Sequence, residues 1–155
     1  RVLFRSLEFA DGAQFVTECR DQFDVIISDA TDPIGPGEPL FSEAFYAGCQ
    51  RCLAPGGVLV TQNGVPFLQD AEVRETAARL GKLYTDVAFY TAAVPTYIGG
   101  IMTFAWASDD EQLRSTPRAA IEQRFAAANL ATRYYTPAIH EASFALPAFV
   151  RALTG

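Results

Sequence analysis

"FDVIISDATDPIGPGE", Phe23–Glu38, runs β-branched residues straight into two acids three positions apart, Asp29 and Asp32, and then into a turn with two prolines and two glycines. An apolar run without polar alternation is the pattern of a parallel strand buried on both faces. The stretch therefore predicts a strand over Phe23–Ser28 that ends at Asp29, with both acids at its carboxyl end.

The flanking sequence supports that reading. Upstream, "RVLFRSLEF" alternates as a strand over Val2–Phe9 and stops at the turn signal Asp11-Gly12, with a short helix expected over Ala13–Arg20. Downstream, "SEAFYAGCQRCL" places Phe45, Cys49 and Cys52 at helical spacing behind Ser42 as N-cap, and "APGG" ends that helix. "VLVTQ" is the next apolar strand, and "LQDAEVRETAARLGKL" is a helix capped by Asp70 and stopped near Gly81. This alternation argues for an α/β fold, a parallel sheet with helices on both faces. "TDVAFYTAAV" and "GIMTFAWAS" are then separated only by "PTYIG", too short for a helical crossover, and predict an antiparallel hairpin. A helix over Pro117–Asn129 follows, with Pro117 in first position and Thr116 as cap. The tail reads as a short extended piece and brief helices around Pro137 and Pro147.

Composition narrows the function. The 155 residues are half hydrophobic, as expected of one folded domain. Twelve basic residues against 18 acidic ones give a net charge of −6, and no Lys/Arg cluster follows a phosphate backbone, which argues against nucleic acid as a partner. Neither a signal-peptide pattern nor an apolar run of about 18 residues is present, so the expectation is no membrane and a cytoplasmic location. The three cysteines, Cys19, Cys49 and Cys52, show no framework spacing and suit a reducing compartment. The chain opens without Met, inside what reads as an extended segment, and is expected to be a fragment.

In open α/β sheets ligands bind at the carboxyl ends of the strands. Three polar clusters fall there: Asp11-Gly12, Asp29 to Asp32, and Gln62-Asn63. A single Asp in such a loop is often only a turn-former or cap. Two carboxylates facing one cleft raise each other's cost of ionisation and are favoured when a cation sits beside them. Pro33 and Pro36 stiffen the loop, while Gly35 and Gly37 permit close backbone approach or positive φ. Tyr97, at the hairpin tip between a proline and two glycines, either packs its ring on the sheet edge or turns its hydroxyl to a ligand. Cys49-Gln-Arg-Cys52 matches C-x-x-C but lies at a helix's C-terminal end, away from the positive dipole that activates such thiols, and reads as core packing. His140, the sole histidine, completes neither a zinc set nor a nucleophilic triad and reads as structural.

"FDVIISDATDPIGPGEPLF", "GGVLVTQNGVPFLQ", "VPTYIGGIMTFAWAS" and "YYTPAIHEASFALPAFV" together resemble the C-terminal part of the polyamine aminopropyltransferases, the spermidine synthases, over almost the whole chain. The resemblance implies a Rossmann-like, class I methyltransferase-type sheet, mostly parallel with a C-terminal antiparallel hairpin, in a homodimer or homotetramer. It implies transfer of the aminopropyl group of decarboxylated S-adenosylmethionine to putrescine, giving spermidine and methylthioadenosine, with no metal and no permanently bound cofactor. The partners are thus a small cationic diamine and a nucleoside sulfonium.

By motif, Asp29 resembles the catalytic proton acceptor and Asp32 a ligand of the diamine's ammonium. Tyr97 and Gln62 resemble residues of the substrate cleft. Asp11 and Gly12 resemble adenine-side contacts, and Pro36 a proline lining the nucleoside. The family's glycine-rich nucleoside loop, the first two strands of its sheet and its N-terminal β domain are expected upstream of Arg1. The missing strands would lie between Val2–Phe9 and Phe23–Ser28, so the piece alone is expected to bind cofactor poorly and turn over little. Two other readings share the fold: an S-adenosylmethionine-dependent methyltransferase, which has no reason to place two acids here for a cationic acceptor, and a non-catalytic binding or assembly module.

Overall fold

The computed structural model describes residues 6–155. Four strands, β1 (Phe23–Ser28), β2 (Leu53–Gln62), β3 (Asp86–Ala93) and β4 (Ile101–Ser108), form one sheet in the order β1-β2-β4-β3. β1 runs parallel to β2, and β4 runs antiparallel to both β2 and β3, so β1, β2 and β3 share a direction that β4 alone opposes. The sheet is therefore mixed. The hairpin is formed as expected, with Asp86 opposite Ser108 and Ala93 opposite Ile101.

The period of two sorts the strands' side chains onto two faces. One face carries Leu59, Phe89, Ala105 and Ala107, and the helices α1 (Gly12–Glu18), α2 (Glu43–Cys52) and α3 (Asp70–Leu80) close over it with Val16, Phe45, Tyr46, Cys49 and Val73. The small residues of β4 give these helices room to approach the sheet. α1 and α2 come closest at Gly48, where a Cβ would lie 2.6 Å from Val16 Cγ2. A mid-helix Gly→Ala exchange ordinarily adds about 0.5–1 kcal/mol of stability, but overpacking against a stiff β-branched neighbour costs about 1–3 kcal/mol. Gly48→Ala is accordingly expected to destabilise the protein by about 1 kcal/mol, read as a lowered urea midpoint.

The opposite face carries an aromatic cluster: Tyr90 stacks on Phe104, and Phe144 meets both Tyr90 and Trp106. It is covered only in part, by α4 (Arg118–Ala128), α5 (Pro137–Ser143) and the residues between them. Helices thus stand on both faces, and the short final helix α6 (Ala148–Arg151) completes the chain near the brief helix expected around Pro147.

Several local expectations are corrected. β1 is not buried on both faces: it is an edge among the described strands, and Val25 and Ile27 are 54% and 72% exposed. Of the strand expected over Val2–Phe9, residues 2–5 lie outside the described residues, while residues 6–9 have no regular structure and leave Leu7 and Phe9 exposed. β2 begins at Leu53, so "APGG" belongs to the strand's start and α2 passes into it without a separate loop. Gln69, not Asp70, is the cap residue of α3, and Asp70 opens its first turn. Pro117 is itself the cap residue of α4, because the Thr116 hydroxyl donates to the Leu113 carbonyl instead of capping. Ser42 does cap α2, accepting from the Phe45 N–H at 3.1 Å.

Candidate active site

The parallel register places Ser28 opposite Thr61, so Asp29 and Gln62 leave the sheet side by side at its carboxyl end. With its carboxamide oriented to satisfy both groups, Gln62 donates to the Ala30 carbonyl at 3.1 Å and accepts from the Gly64 N–H at 3.0 Å. It therefore pins the backbone between the two acids. Asp29 itself is exposed and shares a cleft of about 270 Å³ with Gly12, walled by Phe15, Ile26 and Leu40. Two of the residues singled out in the sequence, Gly12 and Asp29, 17 positions apart and from different elements, are thus brought to one opening.

Asp11 is adjacent but engaged: its Oδ1 accepts from the N–H groups of Ala13 (2.8 Å) and Gln14 (3.1 Å), the capping bonds of α1. The proline loop is folded as a 3₁₀ helix over Gly35–Phe41, with Pro36 exposed in its first turn. Gly37 fits because a Cβ there would lie 2.6 Å from Thr31 Oγ1 and 2.7 Å from the Asp32 carbonyl. The glycine lets the turn close tightly behind Asp32.

Asp32 Oδ1 accepts from Gln69 Nε2 at 3.0 Å. The Gln69 Oε1 in turn accepts from the Val65 N–H at 2.8 Å, which fixes the carboxamide with its NH₂ toward the acids. That nitrogen also lies 3.4 Å from Glu72 Oε2. Glu72 is only 8% exposed and its Oε1 has no partner among the described residues. Burial, with the negative charge of Asp32 adding to it, raises its carboxyl to about 7. Gln69 and Glu72 were not marked by the sequence reading. The signal that locates them is positional: "LQDAE" follows β2 in the strand-to-helix connection, where ligands gather.

Tyr97 stands apart. It is 55% exposed at the hairpin tip, its backbone closing the turn by accepting from Gly100 N at 3.0 Å, and its hydroxyl has no hydrogen bond among the described residues. Asn63, grouped with Gln62 as a polar cluster, is instead fully buried beneath the site. Its Oδ1 accepts from the Thr61 hydroxyl (2.8 Å) and the Ala105 N–H (3.1 Å), and its Nδ2 donates to Thr76 Oγ1 (2.8 Å).

Cys49 and Cys52 are buried, and burial pushes the Cys49 thiol up to about 12, which makes both inert packing groups. His140 is half-buried against Tyr135 and Phe144. Among the described residues no group of three or more His, Cys, Asp or Glu side chains is placed to hold a metal ion, and no helix is long and apolar enough to cross a membrane.

The chain is similar to known proteins in sequence and in fold. The spermine/spermidine synthase domain matches residues 5–116. The polyamine aminopropyltransferase of Klebsiella pneumoniae (strain 342) is 59% identical over 145 residues, covering 94% of this chain and 51% of that protein. Polyamine aminopropyltransferase 1 of Pseudomonas aeruginosa is 58% identical over 150 residues, covering 97% of this chain and 52% of that one. A crystal structure of spermidine synthase in complex with the transition-state analogue AdoDATO superposes with a TM-score of 0.88 at 31% identity, covering 97% of this chain and 50% of its own. The chain thus spans about half the length of the curated relatives it matches. Asp29 and Asp32 follow the carboxyl end of β1 inside the matched region, and the chain belongs to the spermine/spermidine synthase family.

Proposed function

We propose that the chain carries the acid side of an aminopropyltransferase site, in which the aminopropyl group of decarboxylated S-adenosylmethionine passes to putrescine to give spermidine and methylthioadenosine. The observation that carries this reading is the placement of Asp29, exposed over a cleft shared with Gly12, one short loop from Asp32 held by Gln69.

The chemistry follows from the substrates. An alkyl ammonium has a pKa of about 10.4, so at neutral pH putrescine arrives doubly protonated and has no free electron pair. Asp29 accepts a proton from the attacking nitrogen as the C–N bond forms, and the C–S bond breaks to leave neutral methylthioadenosine. The carbon beside a sulfonium is already electrophilic, so the protein's task is to aim the amine in line and take its proton. Asp32 holds an ammonium of the diamine, and an acidic opening concentrates two cationic substrates. Gly12, Asp11 and Pro36 border the nucleoside side, with the Asp11 carboxylate holding α1 in place. Gln62 orders the backbone between the acids, and Tyr97, exposed at the hairpin tip, is assigned to the diamine side of the cleft. As part of the same proposal the protein works in the cytoplasm as a homodimer or homotetramer.

Asp32→Asn removes one charge while keeping the acceptor that Gln69 needs. A hydrogen bond to a charged group contributes about 1.5–3 kcal/mol, so the putrescine KM is expected to rise about 10–100-fold with kcat changed only a few-fold. Steady-state kinetics on the protein, expressed with any coding sequence that precedes Arg1, reads both. An unchanged putrescine KM would remove Asp32 from the diamine site. The 155 residues by themselves carry no glycine-rich G-x-G-x-x-G series, and on this reading they bind the nucleoside poorly and turn over little.

A further inference from the structure

We propose that Glu72 is a positioning residue of the diamine site: through the shared carboxamide of Gln69 it orients Asp32, and it gives up its own proton when a dication is captured. The inference rests on the reading of Asp32 as an ammonium ligand. It begins from a geometry which that reading does not use. Gln69 Nε2 is held toward two carboxylates at once, Asp32 Oδ1 at 3.0 Å and Glu72 Oε2 at 3.4 Å, and cannot turn away because its Oε1 is occupied by the Val65 N–H.

A carboxyl buried to this degree with one oxygen unpartnered is costly to keep as an anion. In the free protein, burial and the neighbouring Asp32 charge favour the neutral acid. An ammonium arriving at Asp32 cancels that neighbour's charge and supplies a positive one, so the Glu72 carboxylate becomes the favoured form. The balance is simple: neutral Glu72 plus the dication gives the Glu72 carboxylate in the complex and one proton in solution. The proton has an exit, since Glu72 also lines a groove of about 400 Å³ together with Pro33 and the start of α2.

The charged groups around Glu72 agree with this assignment. Asp32 acts on it from the loop, and Glu38 of the 3₁₀ helix, Glu43 of α2 and Glu75 of its own helix line the same groove, so the charged groups around it are mostly acids. Among the described residues the one cation on the groove, Arg79, is committed to the Phe41 carbonyl at 2.9 Å and to Glu75 Oε2 at 2.7 Å. The Tyr46 hydroxyl is also within its field, but burial holds that phenol up at about 12, so it stays neutral. Putrescine is a dication throughout the range near neutrality and does not itself titrate there.

Two measurements test the proposal. In the wild type, one linked proton makes the putrescine KM fall about 5–10-fold between about pH 6 and pH 8, while the KM for the nucleoside co-substrate does not follow this trend. Glu72→Gln, a neutral near-isostere, is expected to hold the putrescine KM at its acid-side value across that range. Independently of activity, calorimetric titration of putrescine near neutral pH, in buffers of different ionisation enthalpy, should show net proton release for the wild type and none for Glu72→Gln. Failure is separable: if Asp32→Asn raises the putrescine KM but the wild type releases no proton and its KM profile matches that of Glu72→Gln, the role of Glu72 is overturned and that of Asp32 stands. If Asp32→Asn leaves the putrescine KM unchanged, both fall together.

Discussion

Asp29→Asn leaves the protein folded and lowers kcat with putrescine by about 10²–10⁴-fold, the range associated with a positioned general base. The exchange is nearly isosteric and removes little besides the ability to accept a proton. Its structural cost is small because Asp29 is exposed, and exposed substitutions away from caps and buried networks stay within about 0.5 kcal/mol. This separates it from Asp11, a helix cap whose exchange disturbs protein contacts as well. Because Asp29 is needed only as the amine is deprotonated, kcat and kcat/KM should fall together with the nucleoside KM little changed. Equal denaturation midpoints for variant and wild type, checked alongside the kinetics, tie the loss to chemistry.

The second large effect is on stability. Asn63→Leu is expected to cost about 3–5 kcal/mol, because it leaves the buried Ala105 N–H and Thr61 hydroxyl unpaired and strips the Thr76 hydroxyl of its shorter bond, leaving it the 3.4 Å contact with the Tyr46 hydroxyl. Leucine matches asparagine in the number and branching of its side-chain heavy atoms and opens no cavity, so the loss reports unpaired polarity and not a void. Thr61, Thr76 and Thr103 are all fully or nearly fully buried, which leaves water no easy way to take the place of the amide. The network ties β2 and β4 to α3 directly beneath Gln62 and Gln69, so the variant should also show a raised putrescine KM. Urea unfolding of the variant checks the first point, since a change of this size is a large fraction of a domain's total stability of about 5–15 kcal/mol.

What was legible in the sequence was what local chemistry controls. Ser42 capping α2, the β-branched run of β1, and the short "PTYIG" link of the hairpin each settle their own conformation from a few adjacent residues, and the structure follows them. The position of Asp29 at the carboxyl end of β1 was legible for the same reason. The exposure of Val25 and Ile27 was not, because an apolar run has the same pattern whether its second face is covered or open. The cap residue of α3 is Gln69, one position earlier than expected, and it makes no capping bond, its side chain being held by Asp32 and the Val65 N–H.

The least legible part of the site was the link from Asp32 to Gln69 and Glu72. Asp32 and Gln69 lie 37 positions apart, and only the parallel register of β1 on β2 brings their loops together. Asn63 shows the converse. A polar residue at a strand end suggests a ligand contact, but two of its three side-chain partners come from β4 and α3, which no local pattern could supply.

The central claim, that this site moves an aminopropyl group onto an amine deprotonated by Asp29, is tested most directly by product analysis. The protein, expressed with any coding sequence that precedes Arg1, is incubated with putrescine and either decarboxylated or ordinary S-adenosylmethionine, and the products are identified by mass spectrometry. The account predicts spermidine and methylthioadenosine in equal amounts from the decarboxylated cofactor, and their loss in Asp29→Asn. Methylated putrescine from the ordinary cofactor, or undiminished spermidine from Asp29→Asn, would contradict it.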